Sequence, residues 1–88
     1  MCYMQNQETV IRRVDDSVFL VNPATDAMFL LDGAGSVLWL ALAEPLAAED
    51  AVRLLLIAFP EADSGTVSHD VDALIRELLD HQLIVEVQ

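Results

Sequence analysis

No lysine occurs in this chain of 88 residues, and its only cations beyond two histidines are Arg12, Arg13, Arg53 and Arg76. Against fifteen Asp and Glu they leave a net charge of -11, so the surface field is negative almost everywhere. Nucleic acid is excluded as a partner on that ground, since holding a phosphate backbone means neutralising several phosphates with Lys or Arg. Anionic membrane surfaces are excluded by the same sign. Cysteine is nearly absent as well. Cys2 has no second thiol for a disulfide and no neighbours for a metal site, which leaves a reduced thiol in a cytoplasmic protein as the expectation. No apolar run approaches the ~18–20 residues that span a bilayer.

The three glycines, Gly33, Gly35 and Gly65, form neither a phosphate loop nor a dinucleotide fingerprint. Nothing catalytic replaces them. His69 and His81 sit about 120° apart on one predicted helix and face no common site. None of the four serines lies in a nucleophile elbow. Asp15 and Asp16 stand side by side, but in a solvated turn where both stay ionised. The chain therefore reads as non-catalytic, with no metal and no cofactor.

What is present is hydrophobicity: 55% of the residues are apolar, too many for a disordered chain despite its charge. With so short a chain, one domain over residues 9–88 must hold every apolar segment in a common core. Residues 1–8 show no period and are expected to be a disordered tail. Then come three short runs rich in β-branched and aromatic residues, at about 10–14, 17–22 and 27–31, separated by the turn formers Asp15-Asp16 and Asn22-Pro23. They predict a three-stranded antiparallel meander.

Asp32 is placed to cap a helix running to about Ala43. A second helix, about 47–59, carries Glu49 and Asp50 in its first turn and a stripe of Val52, Leu55, Leu56 and Phe59. After the loop PEADSG, Thr66 is the expected cap of a third helix over about 67–81 with Val67, Val71, Leu74, Ile75 and Leu78 inside. LIVEV, at 83–87, reads as a last short strand or an extended end against the sheet. The fold class is α+β, a three-stranded antiparallel sheet followed by a three-helix bundle, like a winged helix-turn-helix. Such folds commonly read DNA with the last helix. Here residues 61–80 hold six acids (Glu61, Asp63, Asp70, Asp72, Glu77 and Asp80) against Arg76 and His69, the wrong sign for that role.

The succession VIRRVDDSVFLVNPATDAMFLLDGAGSVLW, the acid-opened AAEDAVRLLL, and VSHDVDALIRELLDHQLI resembles the pyrroloquinoline-quinone biosynthesis D-protein family, the RiPP recognition elements, over about residues 10–85. The resemblance implies a peptide chaperone that binds the leader segment of a ribosomally made precursor and presents it to a leader peptidase or other modifying enzyme. In that family the leader adds as a strand beside the third strand and against the third helix. Carried onto this sequence, the receiving edge is Asp26, Ala27, Met28, Phe29, Leu30 and Leu31. The flanking helix offers Val67, Asp70, Val71, Leu74, Glu77 and Leu78. Of these, Asp70, Glu77 and Asp26 are candidates for meeting basic leader residues. The stand-alone length is most similar to the leader-binding proteins of lasso-peptide pathways, and a partner of a radical-SAM enzyme is the alternative. One departure from the family is the absence of a Ser or Thr cap on the second helix.

Overall fold

The computed structural model describes residues 1–87. In chain order its elements are β1 (Cys2–Gln5), β2 (Val10–Val14), β3 (Ser17–Asn22), β4 (Ala27–Leu31), α1 (Gly33–Ala41), β5 (Leu46–Ala47), α2 (Ala48–Ala58), α3 (Ser64–Asp80) and β6 (Ile84–Val87). The predicted meander is there: β2, β3 and β4 form one antiparallel sheet in sequence order. Its register places Leu20 between Ile11 and Phe29, and Leu20 is fully buried beneath the helices. Both hairpin turns work as their residues require. Asp15 and Asp26 take left-handed backbone, φ 55° and 59°, which Asp tolerates better than most residues. The Asn22 carboxamide oxygen accepts from the Ala24 N–H at 2.9 Å, an Asx turn ahead of Thr25 and Asp26.

A second sheet went unforeseen. Its order is β5-β1-β6, so the residues expected to be a disordered tail supply its central strand. β1 pairs antiparallel with β6 from Cys2 opposite Val87 to Gln5 opposite Ile84, and with β5 at Cys2 and Tyr3. Gln5 closes the join, its backbone N–H donating to the Leu42 carbonyl at 2.8 Å and its side chain to the Trp39 carbonyl at 2.7 Å. The closing strand β6 therefore pairs with β1 and not with the meander. The reason is long-range pairing: the four residues of β1 have no hydrophobic period of their own and become a strand only between two partners distant in sequence.

The helices begin and end for identifiable reasons. Asp32 caps α1, accepting from Gly35 N–H at 2.7 Å, and a Cβ at Gly35 would stand 3.0 Å from that carboxylate oxygen. Glycine leaves the cap its space. Helix α2 starts without a side-chain cap at Ala47, as the sequence implied, with Glu49 and Asp50 compensating in the first turn. Its stripe is narrower than expected: Leu55 is buried, Val52 and Leu56 are half-buried and Phe59 is exposed. Helix α3 begins three residues before the expected position. Asp63 is the cap, its carboxylate accepting from Thr66 N–H at 2.9 Å and Thr66 Oγ1 at 3.2 Å, so Thr66 is the residue capped and not the one capping. At the other end Gln82 takes φ 57°, and the N–H groups of Gln82 and Leu83 reach back to the carbonyls of Leu79 and Leu78 at 3.0 and 2.9 Å. This is a Schellman closure.

One core gathers Leu20, Leu38, Leu42, Val71, Leu78 and Ile84 from sheets and helices alike. Among the described residues, Asn22 is the single buried polar one. Its amide nitrogen donates to the carbonyls of His81 and Gln82 at 3.3 and 3.0 Å, which ties the meander to the end of α3. Asn22→Ala removes these bonds along with the turn bond to Ala24. At about 1 kcal/mol net for each bond, thermal melts should show a loss of roughly 2–3 kcal/mol, a fall on the order of 10–20 °C for a domain this small.

The Asp63 cap also carries a pH signature. Donation from the Thr66 backbone and then from its hydroxyl holds the carboxyl below its ordinary value of 3.8. A depressed carboxylate contributes stability that is present above the unfolded value and is lost as pH falls through the lower folded one. Asp63→Asn keeps a capping oxygen without the titration. The wild-type melting temperature should therefore fall relative to that variant only below about pH 4, as parallel melts from pH 6 to 2.5 can check.

A candidate peptide-binding edge

Among the described residues, strand β4 pairs with β3 on one side and with nothing on the other. Its side chains alternate as a pleat demands. Met28 and Leu30 stand more than half exposed on the outer face, while Ala27, Phe29 and Leu31 are half-buried on the face toward the helices. Beside the free edge lies an open groove of about 310 Å³. Phe29 of β4 with Asp32 and Ala34 at the start of α1 form one side, and Asp70, Ala73, Leu74 and Glu77 of α3 the other. Those four residues of α3 fall on one helical face by their three- and four-residue spacing. The groove thus has an apolar floor of Phe29 and Leu74 and acidic walls. Among the described residues, neither the Asp70 nor the Glu77 side chain has a hydrogen-bond or ion-pair partner.

The structure brings Phe29, Asp70, Leu74 and Glu77 together in this groove. Ala27, Met28, Leu30 and Leu31 form the strand edge beside it, and the others lie apart. Val71 and Leu78 are fully buried core with no access to a ligand, and Val67, 9% exposed, lies outside this groove. Their period on α3 is what a core stripe and a groove wall share, which is why the sequence grouped them. Asp26 sits in the exposed turn at the start of β4. Asp32 was legible only as a cap, and Ala34 and Ala73 were missed. Both alanines matter because they are small: each leaves open space that a larger side chain would fill, and no sequence pattern marks what lies opposite an alanine.

A second hollow of about 280 Å³ continues the groove between α2 and α3, lined by Leu55, Phe59, Ala62 and Val67 and sharing Ala34 and Asp70 with the first. Among the described residues there is no cluster of His, Cys, Asp and Glu able to hold a metal ion, and no helix is long and apolar enough to cross a membrane. The geometry offers what an extended peptide needs: a row of unpaired backbone groups, an apolar trough alongside, and carboxylates at its margin.

Comparison with known proteins gives the same picture. Among curated proteins no match is found. Two solved structures are similar over nearly the whole chain. One, described as TbiB1 in complex with the TbiA(beta) leader peptide, is 28% identical, covers 97% of this chain and 98% of its own, and has a TM-score of 0.76. The other, lasso peptide synthetase B1 complexed with the leader peptide, is 14% identical over 96% and 98%, with a TM-score of 0.75, and speaks for the fold alone. Residues 17–84 match the family described as coenzyme PQQ synthesis protein D. That span takes in the β3–β4 hairpin, all three helices and the groove between them, and on it the chain belongs to the PqqD family.

Proposed function

We propose that this chain is a non-catalytic adaptor that binds the leader segment of a ribosomally made precursor peptide by strand addition to β4 and delivers it to a leader peptidase or other modifying enzyme. The observation that carries this reading is the free β4 edge facing an apolar, acid-walled groove. Main-chain hydrogen bonds to Ala27–Leu31 supply affinity for any extended segment, and the trough beside Phe29 and Leu74 selects those with apolar side chains at alternate positions. Asp70, Glu77 and Asp26 favour leaders carrying Lys or Arg. The neighbour at 28% identity is a leader-peptide complex, which supports leader binding here; a lasso-peptide pathway is the first reading and partnership with a radical-SAM enzyme the alternative. The cytoplasm, where precursors are made, is the expected site of action. A DNA-binding role is disfavoured by the acidic face of α3, where a groove reader would place Arg, Lys, Asn or Gln.

Titration of fluorescently labelled leader segments from precursors encoded beside this gene tests the reading. A Kd below about 100 μM is expected, and a failure to reach it would sink the proposal. The carboxylates should contribute modestly. Asp70→Asn combined with Glu77→Gln should weaken binding of a basic leader about three- to tenfold at low salt, since exposed pairs add ~0–1 kcal/mol each. The difference should shrink at 0.5 M salt as screening shortens to a few ångströms.

A further inference from the structure

The meander has a second free edge, β2, and its chemistry is the reverse of the first. All five of its residues are exposed, and Arg12 and Arg13 are half of the four arginines in the chain. Among the described residues neither forms an ion pair, the one salt bridge being Arg53 with Asp50. Pleating sends Ile11 and Arg13 toward α1 and Arg12 to the opposite face, where it pairs in register with Phe19. On the α1 side the strand borders a hollow of about 220 Å³ with an apolar lining that includes Ile11, Leu31, Trp39 and Leu40. Leu40 is 73% exposed, a large apolar side chain left uncovered at the rim of that hollow. The arrangement repeats the plan at β4, with an unpaired edge, an apolar floor and a flanking helix. Only the charge is inverted, arginine here and carboxylate there.

We propose that the β2–α1 groove is a second strand-addition site, whose occupant is an extended segment of a partner protein with alternating apolar and acidic side chains. The leader reading enters only as the occupant of β4. Charge decides between occupants. A strand added to β2 lies about 4.8 Å away, and like charges directly opposite one another destabilise a pair while opposite charges stabilise it. A basic leader is thereby turned away from β2 and drawn to β4. A second copy of the chain is a poor occupant. Two β2 strands facing each other set arginine against arginine. A β2 strand on a neighbour's β4 is matched locally but joins two bodies of charge -11 each, in a head-to-tail contact that does not close. A short segment whose apolar side chains fill the hollow brings its two or three acids to the Arg12 face. There Arg12 meets them directly, and Arg13, on the other face, adds only to the local positive field. Asp15 and Asp16 at the hairpin end of β2 require that segment to be neutral or basic where it passes them. With both edges filled, the three-stranded sheet becomes five-stranded, and charge alone sorts leader from partner.

The test uses the full chain and a labelled synthetic hexapeptide of alternating valine and glutamate, short enough to stay clear of Asp15 and Asp16, with its valine–lysine counterpart as control. The glutamate peptide should bind with a Kd on the order of 10–100 μM, and saturating leader should not displace it. Arg12→Glu combined with Arg13→Glu should weaken it at least about tenfold while keeping leader affinity within about twofold, since both side chains are exposed and sit at the opposite edge of the sheet, two strand spacings or about 10 Å from β4. Three results would overturn the proposal: no saturable binding below about 1 mM, displacement of the glutamate peptide by leader, or equal binding to the arginine double variant. Sedimentation of the wild type as an oligomer that the double variant abolishes would overturn it too, by assigning the edge to a second copy. Leader titration in the same series reports on β4 separately. Loss of leader binding with the glutamate peptide still bound would sink the leader reading and leave this one standing.

Discussion

Leu74→Glu should weaken leader binding about a hundredfold while the protein stays folded. Leu74 is half-buried on the groove face of α3, next to Phe29 in the trough and outside the fully buried core. Exposure to solvent in the free protein lets a glutamate extend without unfolding the helix, in which it is a good former. Once a leader strand lies against β4 the same side chain is covered. The loss then combines an apolar contact of about 1.5 kcal/mol with the cost of covering an unpaired carboxylate, ~1–3 kcal/mol. Together these are about 3 kcal/mol, near two orders of magnitude in Kd. Ile57→Glu is the matched control, since Ile57 is 76% exposed on α2 and lines neither hollow of the groove. Fluorescence titration of both variants should give a large loss for the first and less than a twofold change for the second. Equal affinities would place the leader elsewhere on the surface.

Deleting residues 1–6 should cost more than any single substitution. β1 is the centre of its sheet, and with it go the pairings to β5 and β6, both bonds of Gln5 to the end of α1, and the packing of Tyr3 against the core. Four to six hydrogen bonds at ~1 kcal/mol net already approach the 5–15 kcal/mol that holds an ordinary domain together. The truncated chain should lose its cooperative melt in far-UV circular dichroism, or melt at least ~15 °C lower. A truncation that melts within a few degrees of the intact chain would mean that β1 contributes little.

That strand also marks where reading the sequence stops working. The meander was legible because everything that makes it is local: alternation within five residues, Asx chemistry in the turns, and Asp32 ready at the end of β4. The pairings of β1 and β5 are not local. Tyr3 and Leu46 are strand residues because they meet each other across the fold, and nothing within five residues of either says so. The start of α3 failed for a different reason. Asp63 and Thr66 are both capping types three residues apart, and Ser64-Gly65 between them are poor helix formers, which makes PEADSG read as loop to its end. Only the bond from Thr66 N–H to the Asp63 carboxylate decides it. At the groove, spacing along α3 together with the family resemblance found Asp70, Leu74 and Glu77. It also drew in Val71 and Leu78, because a helical period cannot say where the core side of a stripe gives way to the groove side.

The central claim, that a leader becomes the next strand beyond β4, is tested most directly by amide hydrogen exchange along the chain with and without bound leader. The account predicts increased protection in residues 27–31, weaker protection along the Asp70–Glu77 face of α3, and no change in β2 or in the sheet of β1, β5 and β6. Binding that leaves the β4 amides exchanging as fast as in the free protein, or that protects β2 in their place, would contradict it.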